Sequence, residues 1–167
     1  MPLLILIRHA KSDWSHDSLD DHARPLNARG RAAAPLIGRD LAARGLVPDQ
    51  VLCSSALRTR QTWEAIAAEL AGPAEADIRP ALYHAQPEAM MDLLRRATGQ
   101  VVAMIGHNPG IGALAHQILA ARPAHAKFAT YPTGATLIAQ IDDWAGLRNG
   151  GAKLSDFLVP RDLPGHP

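Results

Sequence analysis

Two arginines and two histidines stand where short apolar runs of the chain give out. Residues 3–7 are continuously apolar and deliver Arg8 and His9, with Lys11 and Ser12 just beyond. Residues 51–53 lead through Ser54 and Ser55 to Arg58, and residues 101–105 lead to His107 and Asn108. If each run is a strand of one sheet, these groups gather outside the strands' carboxyl ends, where open α/β sheets bind ligands. Guanidinium groups and helix N-termini bind oxyanions, and no carboxylate stands among these strand-end groups to neutralise them. An imidazole in such a place can attack an electrophile or stabilise developing negative charge. Arg58 carries its own hint, because a cation in a first helical turn opposes the helix dipole unless an anion lies beside it.

The elements that must position these groups follow from periodicity. Residues 3–7 do not alternate, as expected of a strand covered on both faces in a mainly parallel sheet, and 51–53 and 101–105 read as two more strands. Residues 10–26 lack periodicity and read as a loop. Ala33, Leu36, Ile37 and Leu41 form a helical stripe ending near Gly45, and Pro35 predicts that the helix begins near residue 34 or kinks there. Ser55 can cap a helix running to about residue 70. Residues 78–82 read as a short strand, and Pro87 with Glu88 opens a helix through Arg96. Asn108 as N-cap and Pro109 at the first helical position open another through about Ala120, and residues 135–141 and 157–159 read as the last strands. The alternation predicts an α/β fold, a three-layer sandwich with a mainly parallel central sheet and helices on both faces.

The 167 residues suit a single domain. Apolar residues make up 47% and charged residues 20%, with a formal net charge of +1, so neither a nucleic-acid nor a membrane footprint is expected. The lone Cys53 cannot form an internal disulfide, and the first apolar run is too short for a signal segment, which predicts a cytoplasmic protein.

Four segments together resemble the histidine phosphatase superfamily, which includes phosphoglycerate mutases. Leu6-Ile7-Arg8-His9-Ala10-Lys11-Ser12 is similar to its Arg-His-Gly signature, with Ala10 in place of glycine. Leu26-Asn27-Ala28-Arg29-Gly30 resembles the segment that opens its first helix, Ser54 through Thr62 its second arginine motif, and Gly106-His107-Asn108-Pro109-Gly110 its second histidine motif. The order is that of the family, and the short length with the ending at 157–163 is most similar to the bacterial branch typified by SixA, a phosphohistidine phosphatase. The resemblance implies a phosphoglycerate mutase-like fold, no cofactor and no metal. It further implies His9 as a nucleophile carrying a phosphohistidine intermediate, with Arg8, Arg58 and His107 stabilising the transferring group. Ser12 and Asn108 would be substrate-binding. Flanking guanidiniums should lower the pKa of His9 and keep it neutral near pH 7.

The chain departs from larger members where they carry a glutamate as general acid. Leu82-Tyr83-His84 puts a histidine there, and Glu88 follows four residues on; either could be the proton donor. A missing strong acid slows alcohol-type phosphomonoesters by about 10²–10⁴. Phosphohistidine suffers less, since its imidazole can leave already protonated. The expected substrate is therefore a phosphorylated protein or a small phosphorylated molecule. A general phosphomonoesterase and a weakly catalytic phospho-ligand binder are the alternatives. Residues 110–115 formally match a dinucleotide-binding fingerprint, but Pro109 precedes the first glycine and no acidic residue lies near 130–135. The eight histidines form no His-x₃-His pair that would suggest a metal site.

Overall fold

The structure, a computed structural model, describes residues 1–15 and 18–167; residues 16 and 17 of the expected 10–26 loop lie outside the described part. Six strands, β1 (Leu3–Arg8), β2 (Gln50–Ser54), β3 (Ala76–Arg79), β4 (Val101–Gly106), β5 (Thr136–Ile141) and β6 (Ala152–Leu158), form one sheet in the order β3-β2-β4-β1-β5-β6. The first four in that order run parallel, while β5 is antiparallel to both its neighbours. Among the described residues four α-helices cover the sheet: α1 (Ala28–Ala43), α2 (Leu57–Ala67), α3 (Pro87–Arg95) and α4 (Gly110–Ile118). The α/β sandwich with a mainly parallel sheet is as expected.

Side-chain alternation along β1 and β4 makes two cores. Leu4, Leu6, Val102 and Met104 pack with Met90, Leu94, Ile111 and Leu114 of α3 and α4. Ile5, Ile7, Ala103 and Ile105 pack with Ile37, Leu41, Trp63 and Ile66 of α1 and α2 on the opposite face. Residues 4–7 are all 0% exposed, which is why that run reads as unbroken apolar sequence. Arg8 pairs with Gly106 and Cys53 with Ile105, so the three strands end nearly level and release His9, Ser54 and His107 at one edge.

Several local expectations are corrected. Helix α1 starts at Ala28, where the resemblance placed it, and Pro35 lies inside it. The Asn27 carboxamide accepts from the Gly30 N–H at 2.9 Å, and burial of Leu36, Ile37 and Leu41 outweighs the proline's disruption of one turn. Gly30 is obligatory there, since a Cβ would lie 2.1 Å from the Lys11 carbonyl oxygen. Ser55 does not cap α2: its hydroxyl bonds His22 Nε2 at 2.8 Å, and the helix ends at Ala67. The third strand is Ala76–Arg79, with Pro80–Leu82 turning into a 3₁₀ helix where proline has no N–H for the ladder. Helix α4 starts at Gly110 with Pro109 in the cap position, yet Asn108 still caps it from one residue earlier by accepting from the Gly112 N–H at 3.1 Å. The last strand is longer than expected, because Lys153 and Asp156 interrupt its apolar pattern at the sheet edge. Among the described residues no helix is long and apolar enough to cross a membrane.

Candidate active site

Arg8, His9, Ser12, Arg58, His84, His107 and Asn108 border one cavity of about 290 Å³. Glu88 does not; it is exposed in the first turn of α3. Among the described residues four cationic side chains, Arg8, Lys11, Arg24 and Arg58, meet a single carboxylate, Asp21, around this space.

His9 is 6% exposed, and its Nδ1 donates to the Ala10 carbonyl at 2.7 Å. A carbonyl can only accept, so Nδ1 carries the proton and Nε2 keeps its lone pair. Burial, opposed by that hydrogen bond and reinforced by the charges of Arg8, Arg58 and Arg24, lowers the His9 pKa to about 3. Desolvation therefore leads, with the guanidiniums second. Ala10, the departure from glycine, fits because its methyl packs with Leu26 and Ala34, while its N–H bonds Thr62 Oγ1 at 3.0 Å. Thr62 in turn donates to the Arg58 carbonyl, tying the His9 turn to α2.

Arg58 is 3% exposed, and its partner is a carboxylate that strand-end reasoning missed. Its guanidinium donates to the Asp21 carbonyl at 2.7 Å and to Asp21 Oδ2 at 3.1 Å. Asp21 also accepts from Arg24 at 3.0 Å and from the Tyr83 hydroxyl at 2.5 Å, while His84 Nε2 stands 3.5 Å away. Slight burial would raise the Asp21 pKa, but the Tyr83 bond, the Arg58 charge and the arginine hydrogen bonds outweigh it and hold the carboxyl well below the usual range. It is ionised near neutral pH. Arg8 donates to the Tyr131 carbonyl at 3.2 Å, and Tyr131 anchors that turn through its buried hydroxyl, which donates to the Leu6 carbonyl at 2.6 Å.

His107 is 3% exposed, with its ring centroid 5.3 Å from that of His9. Its Nε2 lies 2.7 Å from Ser54 Oγ, which also accepts from the Ala56 N–H; when the serine donates to Nε2 the ring proton sits on Nδ1. Burial, followed by the charges of His9, Arg58 and His84, lowers its pKa to about 3. Among the described residues three buried groups have no partner: Arg8 Nε, Arg58 Nε and His107 Nδ1. Ser12 Oγ accepts from Arg24 at 2.8 Å, leaving its proton to donate. The Asn108 carboxamide is committed to the fold, its amide donating to the Thr130 and Tyr131 carbonyls at 3.1 and 2.9 Å. The His84 side chain is 58% exposed. No group of three or more metal-ligating side chains occurs among the described residues.

Comparison with known proteins gives the family. Residues 4–86 match the histidine phosphatase superfamily, branch 1. An uncharacterized protein of Mycobacterium tuberculosis is 34% identical over 163 residues, covering 93% of this chain and 100% of its own length. A structure from Nakamurella multipartitia, named as a candidate phosphohistidine phosphatase SixA, superposes with a TM-score of 0.82 at 27% identity, covering 95% of this chain and 96% of its own. A similarly named structure from Agrobacterium tumefaciens gives 0.78 at 27% identity, with 95% and 99% covered. The chain belongs to the histidine phosphatase superfamily. Within it the chain is SixA-like, and the class of reaction is hydrolytic.

Proposed function

We propose that the protein is a metal-independent phosphohistidine phosphatase that works through a covalent phosphohistidine on His9. The observation that carries this reading is a neutral, buried imidazole with Nδ1 fixed and Nε2 unprotonated, set among buried donors with no protein partner. Buried donors without partners are destabilising unless a ligand satisfies them, and a phosphoryl group offers the needed oxygens.

In the first step the His9 Nε2 lone pair attacks phosphorus in line, and the bond from phosphorus to the substrate nitrogen breaks. Its electron pair stays on the leaving imidazole, which departs protonated. Arg8, Arg58 and the His107 Nδ1–H neutralise charge on the non-bridging oxygens, and the Ser12 hydroxyl adds one donor. Water then attacks the phosphorus of phospho-His9, the P–N bond breaks, and inorganic phosphate leaves while His9 regains its lone pair. Two guanidiniums supply the charge compensation that a divalent ion gives other phosphatases.

The nature of the proton donor favours a P–N substrate. Among the described residues lining the cavity Asp21 is the one carboxylate, and it is held ionised by Tyr83 and two arginines, so it is a poor acid. The exposed ring of His84, 3.5 Å from Asp21, supports a slower phosphomonoesterase activity as a second reading. The SixA names of two neighbours at 27% identity point the same way as the primary reading. The test compares a histidine-phosphorylated protein, phosphoramidate and sugar phosphates in the presence of EDTA. The P–N substrates should be hydrolysed fastest and EDTA should not matter; a preference for sugar phosphates, or loss of activity restored by a divalent ion, contradicts the proposal.

A further inference from the structure

A second cavity, about 700 Å³ and more than twice as large, opens beside the first and shares Lys11 and Thr133 with it. Its rim carries Lys11, Arg29, Lys127 and Arg161, all exposed. Among the described residues no ion pair joins any of these four side chains to a carboxylate. The one carboxylate side chain in the lining among the described residues, Asp162, is already engaged by His125 Nε2 at 2.8 Å and by the Val159 N–H at 3.1 Å. Part of the surface between the cations is apolar, formed by Pro132, Val159 and Pro160. Nothing in the reaction at His9 uses this groove.

We infer that the groove is a docking track for an acidic segment of a protein substrate, running away from the residue whose phosphoryl group enters the smaller pocket. This deepens the proposed phosphatase reading and rests on it. The manner in which charge is held decides between an acidic protein segment and a small polyanion. A single phosphate is bound by buried, hydrogen-bonded guanidiniums, as in the neighbouring pocket. Here the cations sit on long, exposed, unanchored side chains, which suit several carboxylates spaced along a chain and steer encounter more than they fix one group. The apolar stretches accommodate the aliphatic parts of such a segment. On the smaller pocket's rim, Trp14 is 74% exposed, stacked on the Arg24 guanidinium at 3.4 Å, and an exposed tryptophan is a common anchor of protein contacts.

The test uses a glutamate-rich peptide with one histidine and its glutamine-substituted analogue. Binding of the unphosphorylated peptides is measured by calorimetry, and turnover is followed on the same peptides phosphorylated with phosphoramidate and on phosphoramidate itself. The acidic peptide should bind more tightly and have the lower KM. Each exposed cation contributes a factor of about two to three, so Arg29→Ala/Lys127→Ala/Arg161→Ala together should weaken the acidic peptide about tenfold. That variant should leave phosphoramidate turnover unchanged, and Lys127→Glu/Arg161→Glu should abolish the preference for the acidic peptide. Equal binding of the two peptides to the wild-type protein, or undiminished binding to the triple variant, overturns the inference. So does a loss of affinity in that variant for inorganic pyrophosphate but not for the peptide. If phosphoramidate is not hydrolysed while the triple variant still loses the acidic peptide, the groove stands and the reading of the smaller pocket falls.

Discussion

The pocket at His9 and the groove beside it are both cationic and share Lys11, yet they hold charge in opposite ways. In the pocket Arg58 and Arg24 are 3% and 6% exposed and are pinned by Asp21, and two histidines are kept neutral chiefly by burial. In the groove the cations are exposed and have no ion-pair partner among the described residues. A low-dielectric site makes every group count and tolerates no exchange, whereas solvent-screened charges act in small, nearly additive steps.

Substitutions should reveal that contrast as a descending series. His9→Ala removes the bond-forming nitrogen, which no neighbour replaces, and should reduce turnover by at least about 10⁴-fold while tungstate still binds. His107→Ala and Arg58→Ala each remove one donor to the transferring group and should lower kcat by about 10²–10³, leaving a slow reaction measurable at high enzyme concentration. Asp21→Asn should separate two effects. Losing one carboxylate that competes for Arg58 should tighten vanadate inhibition by roughly tenfold, the ~1.4 kcal/mol of a partly screened charge. At the same time kcat should fall, because Arg58 loses its anchor; weaker vanadate binding would show that Asp21 only builds the site. The groove substitutions lie at the bottom of the series, confined to KM of acidic substrates and erased at about 1 M salt, where the screening length is about 3 Å.

The histidines also predict a pH dependence. An ordinary histidine would lose its lone pair below about pH 6.5, but with a pKa of about 3 His9 stays neutral, so kcat/KM should show no inflexion near 6.5 on the acid side. Stability carries the matching sign. The unfolded chain binds protons at both positions as pH falls below about 6.5 and the folded chain does not until about 3, so both contributions are present above 6.5 and are lost as pH falls toward 3. Replacing both histidines with glutamine should flatten the melting temperature over that window.

What could be read beforehand was what the chain encodes locally. Continuous apolar runs mark β1 and β4 because both their faces are covered, and each run hands its next residues to the cavity. Asp21, Arg24 and Tyr83 were not legible, since their roles depend on contacts with no sequence period: Asp21 meets Arg58 across 37 positions and Tyr83 across 62. Arg58 in a first helical turn pointed to an anion that was expected to be a bound ligand, whereas Asp21 supplies one from within the chain. A start of α1 near residue 34, one of the two placements Pro35 allowed, fails because propensity sees the missing N–H but not the Asn27 cap or the fit of Gly30 against Lys11. The edge strand β6 was cut short for the complementary reason, its outward polar residues breaking the apolar signal.

In the proposed reaction His9 carries the phosphoryl group. Enzyme mixed briefly with ³²P-labelled phosphohistidine protein and quenched in alkaline detergent should hold an alkali-stable, acid-labile label that peptide mapping places on His9. The label should persist on His107→Ala and be absent from His9→Ala. Label on His107, or on His9→Ala enzyme, would contradict the account.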